Sequence, residues 1–136
     1  MFEEISISFE NPATDPMGFG AVTGKLSCLR DCVRLQFKEK DRAFRKNETQ
    51  TVDLEYSEIE NLELIARWFR PVLFILETRA LEKLDDFPGS QVGRVEMMLP
   101  KSSRQSAKKM INLIEFQKSE RNLLESEKRL DRDVET

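Results

Sequence analysis

The densest cluster of like-charged side chains lies in KEKDRAFRKNETQ, residues 38–50, where Lys38, Lys40, Arg42, Arg45 and Lys46 outnumber Glu39, Asp41 and Glu48. Cations at this spacing suit phosphate groups or an anionic membrane surface, where each Lys or Arg adds about 1 kcal/mol. A solvated charged loop is the plainer reading of the same residues, and the salt dependence of vesicle binding separates the two. A second cluster, Trp68, Phe69 and Arg70, stands just before Pro71. Trp and Arg are over-represented among interface hot spots, so an exposed wedge here would enter a bilayer interface or a partner pocket. The competing reading folds Trp68 back over the core as the chain's largest apolar anchor; it is preferred for Trp68, and Phe69 is open between the two.

Catalytic chemistry has little to draw on. The chain contains no histidine, which removes the commonest general base, the usual Zn or Fe ligand and every Ser-His or Cys-His nucleophile. Cys28 and Cys32 are too few for a four-ligand metal site and read as small packing residues rather than a redox pair. Asp85-Asp86 and Glu58 with Glu60 lie in or beside turns, where acidic residues are common, and Ser102-Ser103 have the look of helix caps rather than nucleophiles. No Gly-rich phosphate loop is present. The expectation is a non-enzyme with no catalytic residue, no metal and no cofactor. With 22 basic residues against 25 acidic ones and a formal charge of −3, the chain also lacks the positive surface of a nucleic-acid binder, and no nucleic acid is expected as a partner.

The scaffold must come from a chain of 136 residues, 39% hydrophobic and 35% charged, which suits one domain. Residues 1–20 begin acidic and have neither a basic n-region nor an apolar h-region, so the expected location is the cytoplasm. The longest apolar run, Val72–Leu76, is far short of the roughly 20 residues that span a bilayer.

Seven strands and one helix follow from the patterning. EEISISF alternates, with Ile5, Ile7 and Phe9 on one side, and gives a strand over about 4–9. In AVTGKLSCLRDCVRLQFKE, pairing Cys28 opposite Val33 puts Leu26, Cys28, Val33, Leu35 and Phe37 on one side, a hairpin of strands 21–29 and 32–39 around the short turn LRDC. That register sends Cys32 into the turn or onto the opposite face. TVDLEYSEI alternates Val52, Leu54 and Tyr56 and gives a strand over 50–57. Residues 59–67 and 72–78 form a hairpin through the bend WFRP, because Pro71 ends any helix and VLFIL is rich in β-formers; a helix over 58–68 is the competing reading. Val72–Leu76 is apolar on both faces, so either Val72, Phe74 and Leu76 or Leu73 and Ile75 face the core, and something must cover the rest. RALEKLDDFPGSQVGR reads as a loop with at most a short strand near Leu81–Leu84, and the last strand occupies 93–99. Ser102 with Gln105 fits a capping box, and Ala107, Met110, Ile111 and Ile114 give an amphipathic helix from 103. The domain covers 1–118, and 119–136 is a charged helical extension or frayed tail, in which Phe116, Leu123 and Leu130 recur every seven residues.

That order, with EYSEIENLEL leading through a bend into PVLFILET, then a Pro-Gly loop, a last strand and a capped helix, resembles the pleckstrin-homology-like superfold, particularly its bacterial PH-like and GRAM-like members. The resemblance covers roughly residues 20–118 and rests on element order and on the hydrophobic rhythm of Ile59, Leu62, Leu64, Leu73 and Ile75. It implies a mostly β, α+β fold: a strongly bent antiparallel sheet or partly open barrel of about seven strands, plugged by the helix. It also implies a non-catalytic module that binds proteins, peptides or phosphoinositide headgroups, or assembles with its own copies. Headgroup binders of this kind use basic residues in and beside the first hairpin, which maps here onto 20–39 with Lys25, Arg30, Arg34, Lys38, Lys40 and Arg42 in or beside it. Here the turn LRDC is too short to wrap a headgroup, and Asp31, Glu39 and Asp41 interrupt the positive charge. The expected partners are therefore a protein or a second copy, with anionic lipid as the alternative.

Overall fold

The computed structural model describes residues 4–12, 21–40, 48–66, 70–88 and 90–134, without the side chains of Lys40 and of 125–134. Period-2 patterning produces the first sheet. β1 (Ile5–Asn11), β2 (Ala21–Cys28), β3 (Cys32–Lys40) and β4 (Gln50–Glu55) pair antiparallel in the order β1-β2-β3-β4. Cys28 pairs with Val33, Leu26 with Leu35 and Ile7 with Leu26, so Ile7, Leu26, Cys28, Val33, Leu35 and Leu54 fall on one face and are buried there. Each such side chain contributes about 1.5–3 kcal/mol when fully buried. Gly24 pairs with Phe9 on one side and Phe37 on the other. A Cβ at Gly24 would come 2.2 Å from the Gln36 carbonyl and 2.6 Å from the Phe9 ring, so only glycine lets Phe9 lie across this part of the sheet.

Strand β4 stops one residue short of Tyr56. The chain instead makes a 3₁₀ turn over Tyr56–Glu58, where the Glu58 carboxylate accepts the Glu55 backbone N–H at 2.9 Å, and this local bond turns the chain toward the second sheet. Tyr56 keeps its expected burial but is not on the strand. Beyond the turn, β5 (Ile59–Ile65), β6 (Val72–Thr78) and β7 (Arg94–Leu99) form a three-stranded antiparallel sheet. Within 58–68, Ile59–Ile65 is thus strand, Glu58 closes the 3₁₀ turn, and no α-helix forms among the described residues. A register shift between Ile59 and Asn61 bulges β5 beside the turn.

The apolar strand β6 sends Val72, Phe74 and Leu76 into the core, with Leu62 and Leu64 of β5 and Val95, Met97 and Leu99 of β7. Ile75 faces the other way and is still only 2% exposed; the same outer face holds half-buried Leu73, Ile65 and Met98. The two sheets do not close into a barrel. They meet where the Asn11 amide donates to the Glu96 carbonyl and accepts from the Met98 N–H, both at 2.8 Å. One side chain thereby does the work of a peptide group between β1 and β7.

The β6–β7 connection is more than a loop. Leu81–Leu84 is a 3₁₀ turn, not a strand, and it buries Leu84, while Phe87 packs at 4.9 Å from Phe37 and 5.9 Å from Phe9. An apolar pair at i, i+3 carried this information in the sequence. The connection closes on the tight turn Gln91–Arg94, whose end residues exchange N–H···O bonds of 3.0 Å.

The α-helix begins at Arg104, one residue after the expected 103, behind a 3₁₀ turn. Pro100 in extended conformation leads into a 3₁₀ turn over Lys101–Ser103, with Ser103 N–H donating to the Pro100 carbonyl, and α1 (Arg104–Val134) continues from it. Ser102 and Ser103 are therefore inside the helical run. Proline, with φ already set, supplies the start. Ala107, Met110 and Ile114 are fully buried against the two sheets, which makes the fold mostly β with one C-terminal helix across it.

Candidate interaction surface

Of the residues singled out by charge and aromaticity, Lys38 stands exposed near the end of β3, opposite Thr23, and Lys25 is exposed on the same outer face. Lys40 ends β3 opposite Ala21. Arg70 is exposed ahead of β6, in the other sheet. Arg42, Arg45, Lys46, Trp68 and Phe69 lie outside the described residues. Arg34 is taken by a two-pronged pair with Asp53 at 2.8 and 3.1 Å, which raises the guanidinium pKa and lowers that of the carboxyl.

The LRDC turn is tied down rather than open. Leu29 N–H donates to the Cys32 carbonyl at 2.8 Å; the Leu29 carbonyl accepts the Tyr56 hydroxyl at 2.6 Å, and the Arg30 carbonyl accepts Arg121 Nη2 at 3.5 Å. These bonds tie the turn to the core and to the helix. Beside them, burial pushes the Cys28 thiol up to about 12, against a smaller opposing effect of its hydrogen bond with Tyr56. Burial also raises the Tyr56 hydroxyl, and burial, then the Asp53 charge, raises Cys32. A nucleophilic or metal-binding cysteine must be a thiolate; both of these are held as thiols, and neither is in a disulfide.

The acidic candidates are structural or solvated. Burial would raise the Glu58 pKa, but the bonds from Lys83, at 2.7 Å, and from the Glu55 N–H leave it lowered overall. Asp85, Asp86 and Glu60 are exposed. No group of three or more His, Cys, Asp or Glu among the described residues could hold a metal ion. Two lysines guard the outermost strands: Lys83 donates to the Asp53 carbonyl of β4 and Lys118 to the Glu60 carbonyl of β5, each at 3.2 Å. An edge so capped is a poor template for another strand.

What remains is the outward face of α1. Lys118 and Arg121 continue the docked stripe of Ala107, Met110 and Ile114, while Phe116, Leu123 and Leu124 are 58%, 63% and 56% exposed. At about 100° per residue, Phe116 and Leu123 fall within about 20° of each other and nearly opposite Ile114. The seven-residue spacing of Phe116 and Leu123 was readable in the sequence. Leu124 was missed as part of the seam because it breaks that period. Two further apolar side chains are exposed on the β6–β7 connection, Leu81 at 45% and Val92 at 79%. No described helix is long and apolar enough to cross a membrane.

This chain matches no family model, no curated protein and no solved structure.

Proposed function

We propose that this chain is a non-catalytic, PH-like binding or assembly module that works in the cytoplasm through protein–protein contacts. The observation that carries the reading is the second apolar face of α1, Phe116, Leu123 and Leu124, turned away from the face docked on the sheets. A helix in a monomeric domain needs only one such face, and large exposed apolar side chains grouped together mark contact sites. The PH-like assignment draws on the four-plus-three antiparallel strands followed by one helix, the bent sheet and plug that the resemblance implies. Protonated thiols and paired or solvated carboxylates favour binding over a small enzyme.

The test compares the full chain with a Phe116→Asp/Leu123→Asp variant, using light scattering for self-association and in-cell crosslinking for other partners. Both positions are exposed, so the variant keeps its circular dichroism and melting temperature and loses the assembly or the crosslinked partner. An identical oligomeric state and identical crosslinks in both proteins would sink the reading.

A second reading is peripheral binding to anionic lipid or phosphate through 38–46 and the Trp68-Phe69 bend. Exposed Lys25 and Lys38 on one face of the first sheet favour it. Cosedimentation with anionic vesicles at low and high salt decides it, and absence of binding at low salt ends it.

A further inference from the structure

We infer that the outward face of α1 receives a basic amphipathic helix of another protein, and not the same face of a second copy. The inference rests on the protein-contact reading above and names its partner class.

Between Leu113 and Leu124 the helix carries four charged residues, Glu115, Lys118, Glu120 and Arg121. The two cations are committed to the body of the domain: Lys118 reaches the Glu60 carbonyl, and Arg121 reaches the Arg30 carbonyl and lies over the Tyr56 ring. The two carboxylates are exposed. Glu120 falls inside the seam, between Phe116 and Leu123, and Glu115 on its border. Lys118 also reaches the Glu115 carboxylate at 3.9 Å, so the outward face is apolar with Glu120 as its carboxylate outside any ion pair among the described residues.

Self-pairing places like charges together. A parallel two-fold pair sets Glu120 against its own copy. An antiparallel pair that sets Phe116 of one copy against Leu124 of the other is centred on Glu120 and again sets it against its own copy. Both arrangements bring carboxylates together in an apolar contact, where the loss of water makes repulsion costly. A helix with Leu-type residues on one face and Lys or Arg at its borders fills the same seam and neutralises Glu120. The seam from Phe116 to Leu124 runs about 12 Å at 1.5 Å per residue, which suits a transient contact.

The probes are two designed helical peptides with leucine at heptad positions a and d, one with lysine and one with glutamate at e and g. Their binding to the full chain is read by fluorescence anisotropy. The lysine peptide is expected to bind, with the glutamate peptide about tenfold weaker or worse. Phe116→Asp/Leu123→Asp lowers affinity for the lysine peptide about tenfold, Glu120→Lys abolishes the charge preference, and Asp86→Lys, in the β6–β7 connection, leaves both unchanged. Lysine-peptide binding that ignores the seam variants, or that falls equally with Asp86→Lys, overturns the inference. So does a homodimer lost on Leu123→Asp, or seam-dependent binding of the glutamate peptide; both leave the protein-contact reading standing. If neither peptide binds through the seam and the crosslinking comparison shows no seam-dependent partner, both readings fail.

Discussion

The Arg121 guanidinium lies over the ring of Tyr56, 5.1 Å from its centroid, and both residues hold the same turn, Tyr56 through the Leu29 carbonyl and Arg121 through the Arg30 carbonyl. This stack fixes where the helix leaves the domain. Tyr56→Phe removes the hydroxyl from a buried acceptor and is expected to cost about 1–2 kcal/mol in urea unfolding. Arg121→Ala costs about 1 kcal/mol or less and shows mainly as faster amide exchange in α1 beyond Lys118. Unchanged exchange there would show that the stack does not anchor the helix.

Asn11 supplies both halves of a peptide-like bond to β7. Asn11→Asp keeps the acceptor for Met98 N–H and loses the donor to the Glu96 carbonyl, whereas Asn11→Ala loses both. Because Asn11→Asp also turns an acceptor oxygen onto the Glu96 carbonyl 2.8 Å away, aspartate is expected to destabilise at least as much as alanine, which loses about 1 kcal/mol per bond, and thermal melts of the two variants check the order.

Gly24 tolerates no side chain. Its absent Cβ would overlap the Gln36 backbone oxygen, which cannot rotate away, as well as Phe9. Gly24→Ala is expected to cost about 1–3 kcal/mol. A Gly24→Ala/Phe9→Leu double variant should recover only the part due to the ring.

Val92 adopts φ 41 and Gly93 φ 76 at the tip of the β6–β7 connection. A β-branched residue is strained in this left-handed region, which asparagine enters more readily. Since Val92 is 79% exposed, Val92→Asn forfeits little burial and is expected to stabilise the fold by about 1 kcal/mol. A lower unfolding midpoint for this variant would contradict the strain.

The Cys28 thiol titrates near 12 in the fold against an ordinary 9.0. A raised pKa means a stabilising contribution that is complete below the unfolded value and disappears as pH rises through the folded one. Stability is therefore expected to fall between about pH 9 and 12, with Tyr56 acting in the same direction and Cys28→Ala reducing the slope. A thiol reagent on the native protein should label half-buried Cys32 and spare fully buried Cys28 until denaturant is added. Equal native rates would refute this.

Alternation and punctuation alone located the strands and the helix, because side chains of period 2 and period 3.6 choose their faces locally; the Cys28–Val33 register and the strand expected over 59–67, observed as Ile59–Ile65, are cases in point. Phe116 and Leu123 were visible as a repeat for the same reason. Other features depended on contacts between residues far apart in the chain. The burial of Phe87 follows from Phe9 and Phe37 meeting across strands, and the joining of the sheets from Asn11 reaching β7. No local pattern encodes such meetings. Nor did composition show that Lys118 and Arg121 turn inward while Glu115 and Glu120 face water. The sequence determined which residues form the helix; only the packed sheets decided which of its charges turn inward and which stay exposed.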